Sequence, residues 1–102
     1  MNKIDELKKE VVKFRDRRDW LRYHNPKDLS ISISVEAAEL LELFQWRDPD
    51  MVEKERVEEE MADVFIYLLS LVDVMDIDLG KAVMKKLEKN RSKYPVEDSK
   101  RF

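Results

Sequence analysis

Residues 28–46 read DLSISISVEAAELLELFQW, and the fold turns on whether this stretch is strand or helix. Ile31-Ser32-Ile33-Ser34 alternates with the period of two that marks a half-buried strand. The continuation does not. Leu29, Ile33, Ala37, Leu40, Leu41 and Phe44 recur at helical steps and keep one apolar face from end to end. The longer pattern decides it, and the stretch is predicted as a helix from about Asp28 to Trp46.

Upstream, Ile4, Leu7, Val11, Phe14 and Leu21 predict a first helix capped by Asn2. It should stop near Tyr23, because Asn25-Pro26 breaks helix and Pro restricts the residue before it. Downstream, Arg47-Asp48-Pro49-Asp50 reads as a turn, and Asp50 with Glu53 has capping-box spacing. A third helix follows to about Met75, with Val57, Met61, Val64, Leu68, Val72 and Met75 facing a core. Phe65 and Leu69 widen that face, as in a helix buried on two sides. Asp76-Ile77-Asp78 is a turn, Asp78 the expected cap of a fourth helix ending near Asn90. A polar tail with Pro95 runs from about Arg91 to Phe102. Met51, Met61, Met75 and Met84 look like core filling.

The fold class is therefore all-α, and Gly 1 with Pro 3 agrees with long helices rather than turn-rich sheets. No repeat or linker divides the chain, so residues 1–102 are expected to form one domain. At 102 residues the core is small, and the expectation is a four-helix bundle completed by homo-oligomerisation, as a dimer or tetramer. With Cys 0 there is no disulfide, thiolate metal site or cysteine nucleophile. A net charge of −3 gives no reason to expect a binder of polymeric nucleic acid. MNKIDELKKE has no apolar core of a signal peptide. The longest apolar run, Val64 to Val72, is too short to span a bilayer, so no membrane is expected. The expected address is the cytoplasm.

Acidic residues are common here, and a pair three apart is usually a solvated helix face. Their position relative to the basic residues says more. No Lys or Arg occurs from Asp28 to Trp46, nor from Val57 to Gly80, and all 20 basic residues lie outside these windows. Within them Glu36 and Glu39 flank Ala37-Ala38, and Asp63 sits between Ala62 and Val64, three residues after Glu60. Residues three apart share a helix face, so the two pairs meet if the second and third helices pack antiparallel. Partly buried carboxylates without a local cation are costly unless something compensates. A divalent metal would do so, and an all-oxygen donor set suits Mg²⁺ or Mn²⁺ rather than zinc. A di-iron bundle fails, because it needs Glu-x-x-His pairs and the one histidine, His24, follows Leu21 at that spacing. The plainer reading, a wet acidic seam with raised pKa values, stays open at this point.

Glu36-x-x-Glu39 followed after twenty residues by Glu60-x-x-Asp63 resembles the signature of the MazG-like nucleotide pyrophosphohydrolases. That pattern opens with two adjacent glutamates, and Val35 stands here in place of the first. Arg18-Asp19-Trp20, His24, Pro26, Glu42-Leu43-Phe44-Gln45-Trp46, Asp63-Val64, Ile66-Tyr67-Leu68, Lys89-Asn90-Arg91 and Lys93-Tyr94-Pro95 resemble the dCTP pyrophosphatase branch in order and spacing. The resemblance implies a Mg²⁺-dependent hydrolase, with Mn²⁺ as a substitute, that splits a nucleoside triphosphate into monophosphate and pyrophosphate. It would serve sanitation of the nucleotide pool.

By the same resemblance Glu36, Glu39, Glu60 and Asp63 hold metal, and Glu39 also polarises the attacking water. Trp20, His24 and Trp46 fall to the nucleobase and sugar, where base–aromatic stacking contributes ~1–3 kcal/mol per base. Tyr67, one turn after Asp63, would offer its hydroxyl to a deoxyribose or phosphate oxygen. Asn90 and Lys93 would reach the phosphates, Lys93 or Arg91 supplying positive charge, while the basic run from Lys13 to Arg22 reads mostly as a solvated face. The rival function is a non-catalytic helical dimerisation or regulatory module whose acidic patch binds protein. A phosphatase, releasing orthophosphate, is the third.

Overall fold

Asparagine side chains start the first two helices. In the computed structural model, which describes residues 2–96, Asn2 accepts the Asp5 N–H at 2.9 Å and opens α1, Lys3–Arg17. Asn25 accepts the Asp28 N–H at 2.8 Å and opens α2, Pro26–Phe44, with Pro26 in the first turn, where no N–H is needed. The ISIS segment is helical, as its continuation required. Ser30 and Ser34 turn their hydroxyls back onto the carbonyls of Pro26 and Ser30, at 2.7 and 3.0 Å, so both hydroxyls find their partners within the helix they lie on.

α1 stops earlier than its apolar pattern suggested. Asp19 adopts a left-handed φ of 55°, a conformation that Asp tolerates better than most residues. The Trp20 N–H then returns to the Arg15 carbonyl at 3.1 Å. A 3-10 turn over Leu21–Tyr23 follows. The reversal folds Trp20 against Phe14, edge to face, with centroids 5.7 Å apart.

After α2 the chain makes a 3-10 turn over Pro49–Met51, which Asp48 caps through the Asp50 N–H. The capping box expected at Asp50 is absent. α3, Lys54–Val74, begins after Glu53 with no side-chain cap. α4, Leu79–Lys93, is capped by Asp78 as expected, and runs past Asn90 to Lys93. Residues 97–102, half of the expected polar tail, lie outside the described residues.

α3 is the central element, packing on α2 extensively and on α1 less so. Leu29, Leu43, Leu69 and Val72 form the buried core, each worth about 1.5–3 kcal/mol in burial. The expected inward face of α3 is only partly right. Met61 and Met75 are more than half exposed, as are Met51 and Met84, so none of the four fills the core. α4 buries no residue and leaves Val83, Met84 and Leu87 open. The radius of gyration is 16.5 Å, against about 13 Å for a compact domain of this length. The single chain is thus an open helical assembly and not a closed four-helix bundle. No helix among the described residues is long and apolar enough to cross a membrane.

Candidate functional site

The packing of α2 on α3 brings together residues that sequence alone could only align. One carboxylate oxygen each from Glu36, Glu60 and Asp63 lies within 4.8 Å of the others. Glu36 Oε2 and Glu60 Oε2 are buried and accept no hydrogen bond. Glu39 stands outside this triplet, close enough to act on both Glu36 and Glu60. Among the described residues no Lys, Arg or His is ion-paired to any of the four.

The electrostatic result follows directly. Burial, reinforced by Glu39, Asp63 and Glu60, pushes the Glu36 carboxyl up to about 7. Glu60 is also raised, by burial and then by Glu39, Asp63 and Glu59. Crowded carboxylates in this state either keep a proton or take up a cation. Hard oxygen donors with orphaned buried atoms fit a divalent ion such as Mg²⁺ or Mn²⁺.

A pH test follows. Glu36 is raised in the folded state relative to an ordinary carboxylate of 4.5. Its protonated form therefore contributes stability that is fully present below about pH 4.5 and is lost as pH rises through about 7. Without metal, thermal melts from pH 5 to pH 8 should show wild type losing stability relative to Glu36→Gln, which has no proton to lose. Added Mg²⁺ should raise Tm more at pH 8 than at pH 5. Parallel pH profiles for the two proteins would contradict the assignment.

Two cavities flank the carboxylates. One, of about 220 Å³, is mostly apolar and lined by Val11, Phe14, Trp20, His24, Tyr67 and Asp63, with Arg15, Ile66 and Ser70 completing the wall. Trp20, His24 and Tyr67, separated by 47 positions end to end, thus meet in one place beside Asp63. The His24 Nδ1 is buried without a partner. Burial, and then the charge of Arg15, lower its pKa, so the ring is neutral at pH 7. The second cavity, of about 250 Å³, is polar and lined by Glu39, Glu42, Leu43, Arg47, Arg56 and Glu60.

Three expected residues are not gathered in. Trp46 is 94% exposed and lines neither cavity. It has a left-handed φ of 63° just beyond the end of α2. Asn90 and Lys93 lie on α4, which packs only lightly on the other helices, and they too line neither cavity.

The basic run from Lys13 to Arg22 is more than a solvated face. Arg15 is 4% exposed, its Nη1 2.7 Å from Asp73 Oδ2 and its Nε 3.0 Å from Asp16 Oδ1. Arg18 stacks 3.5 Å over the Phe14 ring. Sequence reading passed over Arg15, which looks like its neighbours, and also over Arg47 and Arg56. The last two had a signal: of the four basic residues that border the windows, Lys27, Arg47, Arg56 and Lys81, they are the two on the side of the turn between α2 and α3.

Comparison with known proteins adds the following. The MazG-like family pattern matches residues 31–102. dCTP pyrophosphatase 1 of Rattus norvegicus is 33% identical over 105 residues, covering 95% of this chain and 62% of that protein. dCTP pyrophosphatase 1 of Homo sapiens is 34% identical over 101 residues, covering 91% and 59%. The chain therefore spans less than two thirds of the length of the curated relatives it matches. A crystal structure of a pyrophosphatase from Archaeoglobus fulgidus DSM 4304 is 51% identical, with a TM-score of 0.86, covering 93% of this chain and 94% of that one.

Proposed function

The chain belongs to the MazG-like family, and from that premise we propose that it hydrolyses a nucleoside triphosphate to monophosphate and pyrophosphate. The substrate we favour is dCTP-like, after the names of the relatives in rat and human. One observation carries the reading: Glu36, Glu60 and Asp63 converge within 4.8 Å, with two buried oxygens that nothing among the described residues satisfies.

Glu36, Glu39, Glu60 and Asp63 would hold Mg²⁺, or Mn²⁺ in its place. A divalent ion held there would supply Lewis-acid stabilisation of the negative charge that develops on the reacting phosphoryl group. Glu39, at the edge of the triplet, would orient a water and accept its proton, a role worth ~10²–10⁴-fold in rate. The neutral His24 ring, Trp20 and Tyr67 offer flat faces to a base in a cavity of about 220 Å³ with mostly apolar walls. Trp46, Asn90 and Lys93 would join the site only from a neighbouring copy or a rearranged α4.

Self-association, as dimer or tetramer, is part of the proposal. A groove of about 540 Å³ lined by Leu40, Met61, Ala62, Val64 and Phe65 is open to solvent, and α4 leaves its apolar side uncovered. Exposed apolar area of this extent marks a contact surface. We read residues 1–102 as one domain acting in the cytoplasm.

Incubation with each dNTP and NTP, with Mg²⁺ or with EDTA, and separation of the products tests the reading. Monophosphate and pyrophosphate should form, with a pyrimidine deoxynucleotide preferred, and EDTA should abolish both. Orthophosphate as the product would mean a phosphatase instead. No turnover by folded protein would favour the acidic patch as a binding surface.

A further inference from the structure

The two stretches without a basic residue end at Trp46 and begin at Val57, so Arg47 and Arg56 are the first cations met on either side of the turn between α2 and α3. The fold brings both into one polar cavity of about 250 Å³, whose other walls include Glu39 and Glu60. Both are exposed, and neither forms an ion pair among the described residues. Arg56 stands in the first turn of α3, where the helix dipole disfavours a cation and favours an anion.

We propose that Arg47 and Arg56 bind the two outer phosphates of the substrate, the end that leaves as pyrophosphate. This rests on the reading of the protein as a nucleoside triphosphate pyrophosphohydrolase. The geometry sets the direction of the substrate. Its cleaved α–β bridge must lie at the carboxylates, leaving the nucleoside on one side and two phosphates on the other. Asp63 opens onto the aromatic cavity, while Glu39 and Glu60 open onto the polar one. Arg15, the guanidinium in the wall of the aromatic cavity, is already held by Asp16 and Asp73, so that cavity offers a polyanion no free cation, and the polar cavity has no ring to stack on a base. Two guanidinium forks match phosphate oxygens, which they can grip in pairs. The positive charge that the sequence suggested would come from Lys93 or Arg91 is available here instead. Arg91 is ion-paired with Glu88 on its own helix.

The test is calorimetric titration of the full chain with inorganic pyrophosphate in the presence of Mg²⁺. The proteins compared are wild type, Arg47→Ala, Arg56→Ala, the double variant, and Arg47→Lys with Arg56→Lys. Mg²⁺ alone and the monophosphate product are titrated in parallel. Each alanine should weaken pyrophosphate about tenfold and the pair about 100-fold. Monophosphate affinity should stay within about twofold, and the lysines should recover part of the loss.

Unchanged pyrophosphate affinity, or an equal loss for pyrophosphate and monophosphate, would overturn the assignment. So would tighter Mg²⁺ binding with pyrophosphate unaffected, since the arginines would then merely offset the carboxylates. If wild type yields monophosphate and pyrophosphate but the arginine variants bind pyrophosphate normally, only this inference falls. If wild type neither hydrolyses a triphosphate nor binds pyrophosphate, the proposed function falls with it.

Discussion

Glu60→Gln and Asp63→Asn are each expected to lower kcat/KM for triphosphate hydrolysis by ~10³-fold or more, with the helices intact. A metal that stabilises developing charge contributes several kcal/mol to the transition state, and each 1.36 kcal/mol is about tenfold in rate. Both residues belong to the triplet whose oxygens lie within 4.8 Å of one another, so either substitution takes a charged donor out of the centre of the cluster. Loss of the fold is not the expected cause. Each substitution removes one charge from a crowded set that keeps Glu36 partly protonated, so the metal-free variants should melt at or above wild type at pH 8. The checks are pyrophosphate release per enzyme and circular dichroism melts on the same samples. Activity within tenfold of wild type in both variants would remove the carboxylates from the reaction.

The largest loss of stability is expected from Asp73→Ala. Arg15 is almost wholly buried, and its Nη1 donates to Asp73 Oδ2 at 2.7 Å across 58 positions of sequence. Burial opposes its charge, and the bonds and attraction of Asp73 and Asp16 overcome that opposition. Removing one partner of a fully buried pair costs about 3–5 kcal/mol, because the other charge stays behind. Here Asp73 is partly solvated and Asp16 still accepts from the guanidinium, so about 2–3 kcal/mol is the better figure. In a domain of this size that lowers Tm by about 10–20 °C. Asp73→Asn keeps an acceptor and should lose less. Arg15→Met with Asp73→Leu, which leaves no stranded charge, should sit near wild type. Urea melts of the three separate the cases, and an Asp73→Ala protein within 0.5 kcal/mol of wild type would contradict this account.

α2 was legible because a long helical pattern outweighs four alternating residues, and its serines bond locally to their own helix. The meeting of Glu36, Glu60 and Asp63 was legible because helical spacing and the absence of cations are both local facts. The stop of α1 was not, since Asp19 enters the left-handed region without a Gly or Pro to announce it. Arg15 was hidden for a different reason: its partner Asp73 is supplied by another helix, and the residues around it are also basic. The methionines misled because an apolar pattern states which side avoids water, and a face meant for another surface reads the same as a core. Trp46 was marked by its place beside a turn, and in the single chain its ring stands in solvent. Trp20 shared the same sequence signal, and the reversal at Asp19 carried it into the cavity.

His24 is the only imidazole in the chain, and it stands in the wall of the aromatic cavity. A nuclear magnetic resonance spectrum of the protein labelled in its histidine therefore contains one set of ring signals that needs no assignment. Those signals report from inside the cavity, at neutral pH on an uncharged ring, and an aromatic guest stacking nearby would displace them by its ring current. The molecule carries its own gauge of occupancy, readable without turnover, without metal and without altering a residue.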